Sequence, residues 1–118
     1  MKLLNSFGYA FKGMWVVFKS QRNMRIHAVA VVMVTVAGIF LELTAIEWAI
    51  IALTIGSVMG AEMFNSAIET LVDLVSPEYN EKAGKVKDIA AGAVLLHAIV
   101  ASVVAIYIFG NKIFNLLL

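Results

Sequence analysis

The chain has 118 residues, of which 62% are hydrophobic and only 14% are charged, a balance well outside that of ordinary soluble domains. Length and composition together predict a small integral membrane protein that forms a single domain over residues 1–118. The net charge of +1 excludes a strong general attraction for nucleic acid, and the absence of cysteine excludes disulfides, thiolate chemistry and cysteine-based metal sites.

The first segment, residues 1–20, is predicted to form an amphipathic helix that lies on the membrane surface. Lys12 and Lys19 fall outside its apolar face, and the opposite face is too polar for the helix to cross the membrane. The alternative is a helix that packs against the transmembrane helices. The apolar face consists of Leu4, Phe7, Phe11, Met14, Trp15 and Phe18.

Three later segments are apolar enough to be predicted as transmembrane helices, at residues 26–43, 47–75 and 89–110. The second segment would be about 42 Å long as a helix. This exceeds the hydrocarbon thickness of about 30 Å, so its last turns are expected to extend into the cytoplasm. Pro77 should end that helix, since proline lacks a backbone N–H and disfavours helical geometry before it. Residues 76–88 are predicted to form a polar cytoplasmic loop.

Basic residues predict the orientation in the membrane. They precede the first transmembrane segment and recur in the 76–88 loop, whereas the connector between the first two segments has none. The positive-inside rule therefore places the N-terminus and this loop in the cytoplasm, where ATP is found, and the C-terminus outside. These residues are Lys12, Lys19, Arg22, Arg25, Lys82, Lys85 and Lys87.

Glu62, Asn65, Glu69 and Asp73 occupy positions i, i+3, i+7 and i+11 of the second segment. At about 100° per residue they fall within an arc of about 80°, so they form one polar face that we call the acidic stripe. The fourteen residues 48–61 carry no charge and lead directly into Glu62. An ionisable residue at that depth indicates a functional site.

The acidic stripe has the groups that phosphoryl transfer requires. Carboxylates on one helix face can hold Mg²⁺, which often completes its ligand shell with nucleotide phosphates. The lysines of the 76–88 loop can neutralise those phosphates, and a further carboxylate can act as a general base towards a hydroxyl. The chain has neither a Walker A motif nor the motif set of the protein kinases.

Other interpretations remain open on these residues. The stripe can be a solvated helix end whose acids face the loop lysines. Glu62 can bind the coupling ion of a small ion- or proton-coupled transporter, although such proteins favour isolated carboxylates near the bilayer midplane. A structural membrane subunit would give no reason for the stripe. His97, alone in the third segment, is expected to be packed or hydrogen-bonded rather than catalytic.

Two motifs carry a resemblance to a known family. The chain resembles the prokaryotic diacylglycerol kinases, which include the undecaprenol kinases, in Glu62-x-x-Asn65-Ser66-Ala67-Ile68-Glu69-x-x-Val72-Asp73 and in Lys87-Asp88-x-Ala90-Ala91-Gly92-Ala93-Val94. Gly8-Tyr9-x-x-Lys12-Gly13 is similar to the N-terminal helix of the family. The segments 23–27 and 46–48 are more similar to the undecaprenol kinase branch.

The resemblance implies an all-α membrane protein, with a surface helix and three transmembrane helices, that forms a homotrimer in the bacterial cytoplasmic membrane. It implies transfer of the γ-phosphate of ATP to a lipid hydroxyl with the help of Mg²⁺. Glu62 would take the proton from the hydroxyl, Asn65 would order the site and Glu69 would hold the metal. Asp73 would have a supporting role.

The resemblance also assigns contacts to other residues. Lys87 and Asp88 would meet the nucleotide, together with Tyr9 and the segment Glu78-Tyr79-Asn80. Lipid contacts would come from Trp15, Asn23, Trp48, Ala91 and Glu62.

The chain departs from the family at Gln21, where a glutamate usually helps Glu69 to hold the metal. An amide oxygen can still ligate Mg²⁺, but it brings less charge. Gln21 is therefore expected at the metal and nucleotide site, with an altered metal affinity or nucleotide preference.

Overall fold

The computed structural model describes residues 2–118, which form four α-helices joined by short connectors. Met1, the first residue of the predicted surface helix, lies outside the described residues. In the described part, α2, α3 and α4 are each long and apolar enough to cross a membrane, which confirms the predicted all-helical class with three long apolar helices. The helices are α1 (Lys2–Ser20), α2 (Arg22–Phe40), α3 (Ala45–Val75) and α4 (Glu81–Leu117).

Side-chain caps determine where α3 and α4 begin. The Thr44 hydroxyl accepts a hydrogen bond from the backbone N–H of Glu47 at 3.2 Å, and the Asn80 side chain accepts from the backbone N–H groups of Lys82 and Ala83. Such caps satisfy backbone donors that have no partner within the helix. Because of the Asn80 cap, α4 starts within the segment predicted as a loop and continues without a break into the apolar stretch.

The helices α1 and α2 are separated at Gln21, whose backbone is extended and which neither helix includes. The Arg25 guanidinium reaches back across this junction and donates to the carbonyl oxygens of Phe18 at 3.1 Å and Lys19 at 2.7 Å. These bonds satisfy carbonyls at the end of α1, and the positive charge suits the C-terminal end of a helix. The position of α1 on the membrane surface remains a prediction.

The helix α3 forms the centre of the molecule, because it packs along α4 and also contacts α2 and α1. Only 11%, 17% and 6% of the residues in the most apolar stretches of α2, α3 and α4 are buried. The remaining apolar surface has to be covered by lipid or by further protein. One chain therefore provides a framework for the site and leaves most of its apolar surface available to the membrane.

A polar clamp holds the last part of α4 against the first turn of α3 and the connector that precedes it. The Lys112 ammonium lies 3.2 Å from Oε1 of Glu47 and 3.4 Å from the carbonyl oxygen of Glu42. Glu42 has a φ of 54°, a left-handed conformation that turns the connector sharply. The clamp lies at the end of the helices opposite to the acidic stripe.

Gly38 lets the indole of Trp48 pack closely on α2. A Cβ at this position would lie 2.6 Å from Cη2 of Trp48 and 2.9 Å from Cδ1 of Leu43. We expect Gly38→Ala to lower the free energy of unfolding in micelles by roughly 1–3 kcal/mol, the usual cost of overpacking. Gly110→Ala is the control, since a Cβ there would meet nothing within 4 Å. Equal stability of the two variants would contradict this packing.

Candidate active site

The acidic stripe passes from a buried to an exposed environment along α3. Glu62 is 1% exposed and Asn65 is 7% exposed, Glu69 is half-buried and the side chain of Asp73 is 66% exposed. From Glu62 to Asp73 the rise is about 16 Å. The stripe therefore connects the interior of the helical bundle to the surface, as a site shared by a lipid and a water-soluble substrate would require.

The buried end of the stripe contains polar atoms without partners. The amide nitrogen of Asn65 donates to Oε1 of Glu69 at 3.2 Å, which holds the two side chains together. Within residues 2–118, Oε2 of Glu62, Oδ1 of Asn65 and Oγ of Ser66 are buried and have no hydrogen-bond partner. Unsatisfied buried polar atoms are costly and uncommon in proteins. The clustering of these atoms around Glu62 indicates a binding site for a polar ligand.

At the exposed end, Asp73 binds Lys87 and so joins the end of α3 to the start of α4. The Lys87 ammonium lies 2.6 Å from Oδ1 of Asp73. Lys87 precedes the apolar part of α4, and its hydrogen bond to Asp73 raises the pKa of the ammonium above its usual value. Asp73 thus holds the Lys87 side chain at the end of the stripe, and its supporting role stays a prediction.

The residues predicted to meet the nucleotide form two groups. Tyr79 is 91% exposed, and Glu78 and Asp88 are also exposed, so the connector before α4 and the first turns of α4 present several side chains to solvent. Asn80 has a structural task as well, because its side chain caps α4. Tyr9, which is 74% exposed on α1, has no hydrogen bond to this group within the described chain.

The predicted lipid contacts are spread along the molecule. Trp15, Asn23 and Ala91 are exposed, and the ring of Trp15 stacks on Phe18 with the ring centroids 5.7 Å apart. Trp48 packs against Gly38, about 21 Å from Glu62 along the axis of α3. Trp48 and Glu62 therefore cannot contact the same hydroxyl group, and only the tail of a long lipid would reach Trp48.

The residues present fit a magnesium ion bound mainly through a nucleotide. In the described chain, no three histidine or acidic side chains converge on one point. Mg²⁺ usually keeps several waters and uses one or two carboxylates together with substrate phosphates. Glu69 offers a half-buried carboxylate, and Asn65 offers a neighbouring amide oxygen without a partner.

One half-buried polar side chain in this region received no role from the sequence. Nε2 of His27 is buried and has no hydrogen-bond partner in residues 2–118. The ring lines a cavity of about 260 Å³ between α2, α3 and α4. His27 belongs to the segment 23–27, which is similar to the undecaprenol kinases. The sequence alone does not relate its side chain to Glu62, because that relation depends on how α2 packs against α3.

Comparison with known proteins agrees with the motifs. The family model described as prokaryotic diacylglycerol kinase matches residues 8–109. The undecaprenol kinase of Bacillus subtilis is 38% identical over 112 residues, which are 95% of this chain and 91% of that protein. The diacylglycerol kinase of Escherichia coli K12 is 34% identical over 100 residues, 85% of this chain and 82% of that protein.

A third relative, the diacylglycerol kinase of Synechocystis, is 50% identical over 103 residues, which are 86% of this chain but only 59% of that longer protein. The resemblance predicted from the motifs is thus confirmed, and these matches do not support the alternative of an ion-coupled transporter. Match length and identity lead to one conclusion: the chain belongs to the prokaryotic diacylglycerol kinase family.

Proposed function

We propose that the protein transfers the γ-phosphate of ATP to the primary hydroxyl of a membrane lipid alcohol, undecaprenol or diacylglycerol. The observation that carries this proposal is the burial gradient of the acidic stripe, in a chain that belongs to a kinase family. Its buried end suits a hydroxyl delivered from the membrane. Its exposed end, with Lys87 held by Asp73, suits a nucleotide delivered from water.

Glu62 is the base in this proposal. Its carboxylate takes the proton of the lipid hydroxyl as the hydroxyl oxygen attacks the γ-phosphorus, and the bond between that phosphorus and the bridging oxygen of ADP breaks. Burial at 1% exposure keeps bulk water away from the reacting oxygen, which favours transfer to the lipid over hydrolysis of ATP.

Lys87 and Asp88 lie at the start of α4 and would bind the nucleotide, with Tyr9 and the segment 78–80 beside it. Lys87 would neutralise phosphate charge as a point charge, and its contact with Asp73 holds it near the stripe before ATP arrives. Electrostatic positioning of this kind supplies most of the catalysis of phosphoryl transfer.

Glu69 would hold Mg²⁺, and the amide oxygen of Gln21 would be a second, weaker ligand. When bound, the ion would offset negative charge on the transferring phosphate. Asn65 would keep the Glu69 carboxylate in place, because its amide nitrogen already donates to that carboxylate.

Gln21→Glu tests the place of Gln21 in this site. Replacing the neutral amide with a carboxylate adds the charge that the metal favours, so we expect equal or higher turnover and a lower Mg²⁺ requirement. Initial rates measured over a Mg²⁺ titration at saturating ATP and lipid would show the shift. If the variant lost turnover while inserting normally into the membrane, Gln21 would not be part of the metal site.

The activity itself is tested with labelled ATP and Mg²⁺ in mixed micelles that contain undecaprenol or diacylglycerol at matched mole fraction. The relatives bear both names, and both lipids offer a primary hydroxyl above an apolar tail. Faster labelling of undecaprenol would assign the protein to lipid-carrier recycling, and faster labelling of diacylglycerol to diacylglycerol turnover. The absence of labelled lipid from folded protein would contradict the proposal.

The proposed working form is a homotrimer in the bacterial cytoplasmic membrane, with the N-terminus in the cytoplasm. The large exposed apolar surface of the single chain and the unpartnered atoms around Glu62 support further protein contacts. The distribution of basic residues supports the orientation. Chemical cross-linking in native membranes, followed by counting of the linked subunits, tests the trimer.

A further inference from the structure

One cavity is lined by His27 and by the residues of α3 that precede the buried end of the acidic stripe. His27 lines this cavity between α2, α3 and α4 together with Val58 and Met59. Val58 precedes Glu62 by four residues, so the two side chains lie on the same face of α3, one turn apart. The cavity that His27 lines therefore reaches the turn of α3 that leads into Glu62.

The unpartnered atoms of the two side chains are chemically complementary. Nε2 of His27 and Oε2 of Glu62 are both buried without a hydrogen-bond partner, and an imidazole N–H is a good donor to a carboxylate oxygen. His27 and Glu69 are titratable neighbours of Glu62. Of these two groups, only His27 can donate a hydrogen bond, since Glu69 brings a second carboxylate.

We propose that His27 is a positioning residue for Glu62, donating a hydrogen bond from Nε2 to Oε2 of the carboxylate in the working enzyme. This inference rests on the proposed kinase function and adds to it. With Oε2 held by the imidazole, Oε1 is the oxygen left to meet the lipid hydroxyl. His27 neither touches the reacting atoms nor accepts the transferred proton.

Such a partner has a clear physical role at this site. A buried carboxylate that lacks hydrogen bonds is costly and can turn away from its reactive orientation. One donor fixes the plane of the carboxylate, as outer partners do for other catalytic groups. His97 differs, because its Nδ1 is 2.7 Å from the carbonyl oxygen of Ala93 in its own helix, so its ring already has a local partner.

The test compares full-length His27→Leu, His27→Gln and, as the matched control, His97→Leu in mixed micelles with the better of the two lipid alcohols. We expect His27→Leu to lower kcat by roughly 10- to 100-fold, the loss that follows misplacement of a catalytic group. The KM for lipid should change little. His27→Gln, whose amide can donate a similar bond, should recover part of kcat, and His97→Leu should keep the wild-type rate.

A second measurement separates positioning from a general structural effect. If His27 acts only through Glu62, combining His27→Leu with Glu62→Asp should cost less than the product of the two single losses. Wild-type kcat in His27→Leu, a change confined to the KM for lipid, or equal turnover of the Leu and Gln variants would each overturn the inference. Activity of the wild-type protein on lipid tests the underlying function separately.

Discussion

Glu62→Gln is expected to lower kcat by about 10²- to 10⁴-fold, the usual contribution of a general base. The glutamine side chain keeps the size and polarity of the original, so the packing of α3 should persist, but the amide cannot take the proton of the lipid hydroxyl. The measurement is the initial rate of lipid phosphorylation at saturating ATP, made on protein whose insertion and helix content match the wild type.

Glu81→Gln is the control for this variant, because it removes the same charge from the exposed first turn of α4. We expect that variant to retain nearly the full rate. If Glu62→Gln worked at close to the wild-type rate, Glu62 could not be the base, and another group would have to accept the proton. If both variants lost activity together, the loss would reflect net charge rather than position.

Glu69→Gln is expected to weaken Mg²⁺ binding and activity by at least roughly 10- to 100-fold, since even outer partners of metal ligands have effects of this size. The amide keeps a partner for Asn65, whose nitrogen donates to Oε1 of Glu69, but removes the negative charge that the ion favours. A titration of Mg²⁺ at fixed ATP should show a higher half-saturating concentration and a lower maximal rate.

The control is Glu42→Gln, in the connector at the other end of the molecule. Its Mg²⁺ dependence should equal that of the wild type. Full activity of Glu69→Gln at the Mg²⁺ concentration that suffices for the wild type would contradict this role, and the metal would then have to bind elsewhere. A change in the KM for lipid alone would assign Glu69 to the lipid rather than to the metal.

Much of the fold could be predicted because the helical signals are local. Hydropathy depends on residues close together in the chain, and it is enough to predict the three long apolar helices and the uncharged stretch that leads into Glu62. The start of α4 was harder to predict. The polar residues of 81–88 suit a loop or an exposed helix equally well, and the Asn80 cap favours the helix.

The candidate site could be predicted only along α3, where helical periodicity places side chains on one face. Contacts between helices depend on how the helices pack, which no local pattern contains. The packing of Trp48 on Gly38 and the place of His27 beside α3 belong to this second kind. Whether Gln21 reaches Glu69 depends in the same way on the junction between α1 and α2. The ion pair between Asp73 and Lys87 differs, because the sequence already allowed the acids of the stripe to face the loop lysines.

In the proposed mechanism, the depth of Glu62 determines which concentration governs the reaction. Since Glu62 lies at the end of an apolar stretch of α3, the lipid alcohol would reach it by lateral diffusion within the bilayer and would never enter water. The rate should therefore follow the surface fraction of the alcohol rather than its amount per volume, and added inert phospholipid should slow the enzyme by surface dilution. The nucleotide arrives from water, so its effect on the rate would depend on its concentration per volume. In the proposed reaction, one substrate would thus be measured as a surface fraction and the other as a bulk concentration.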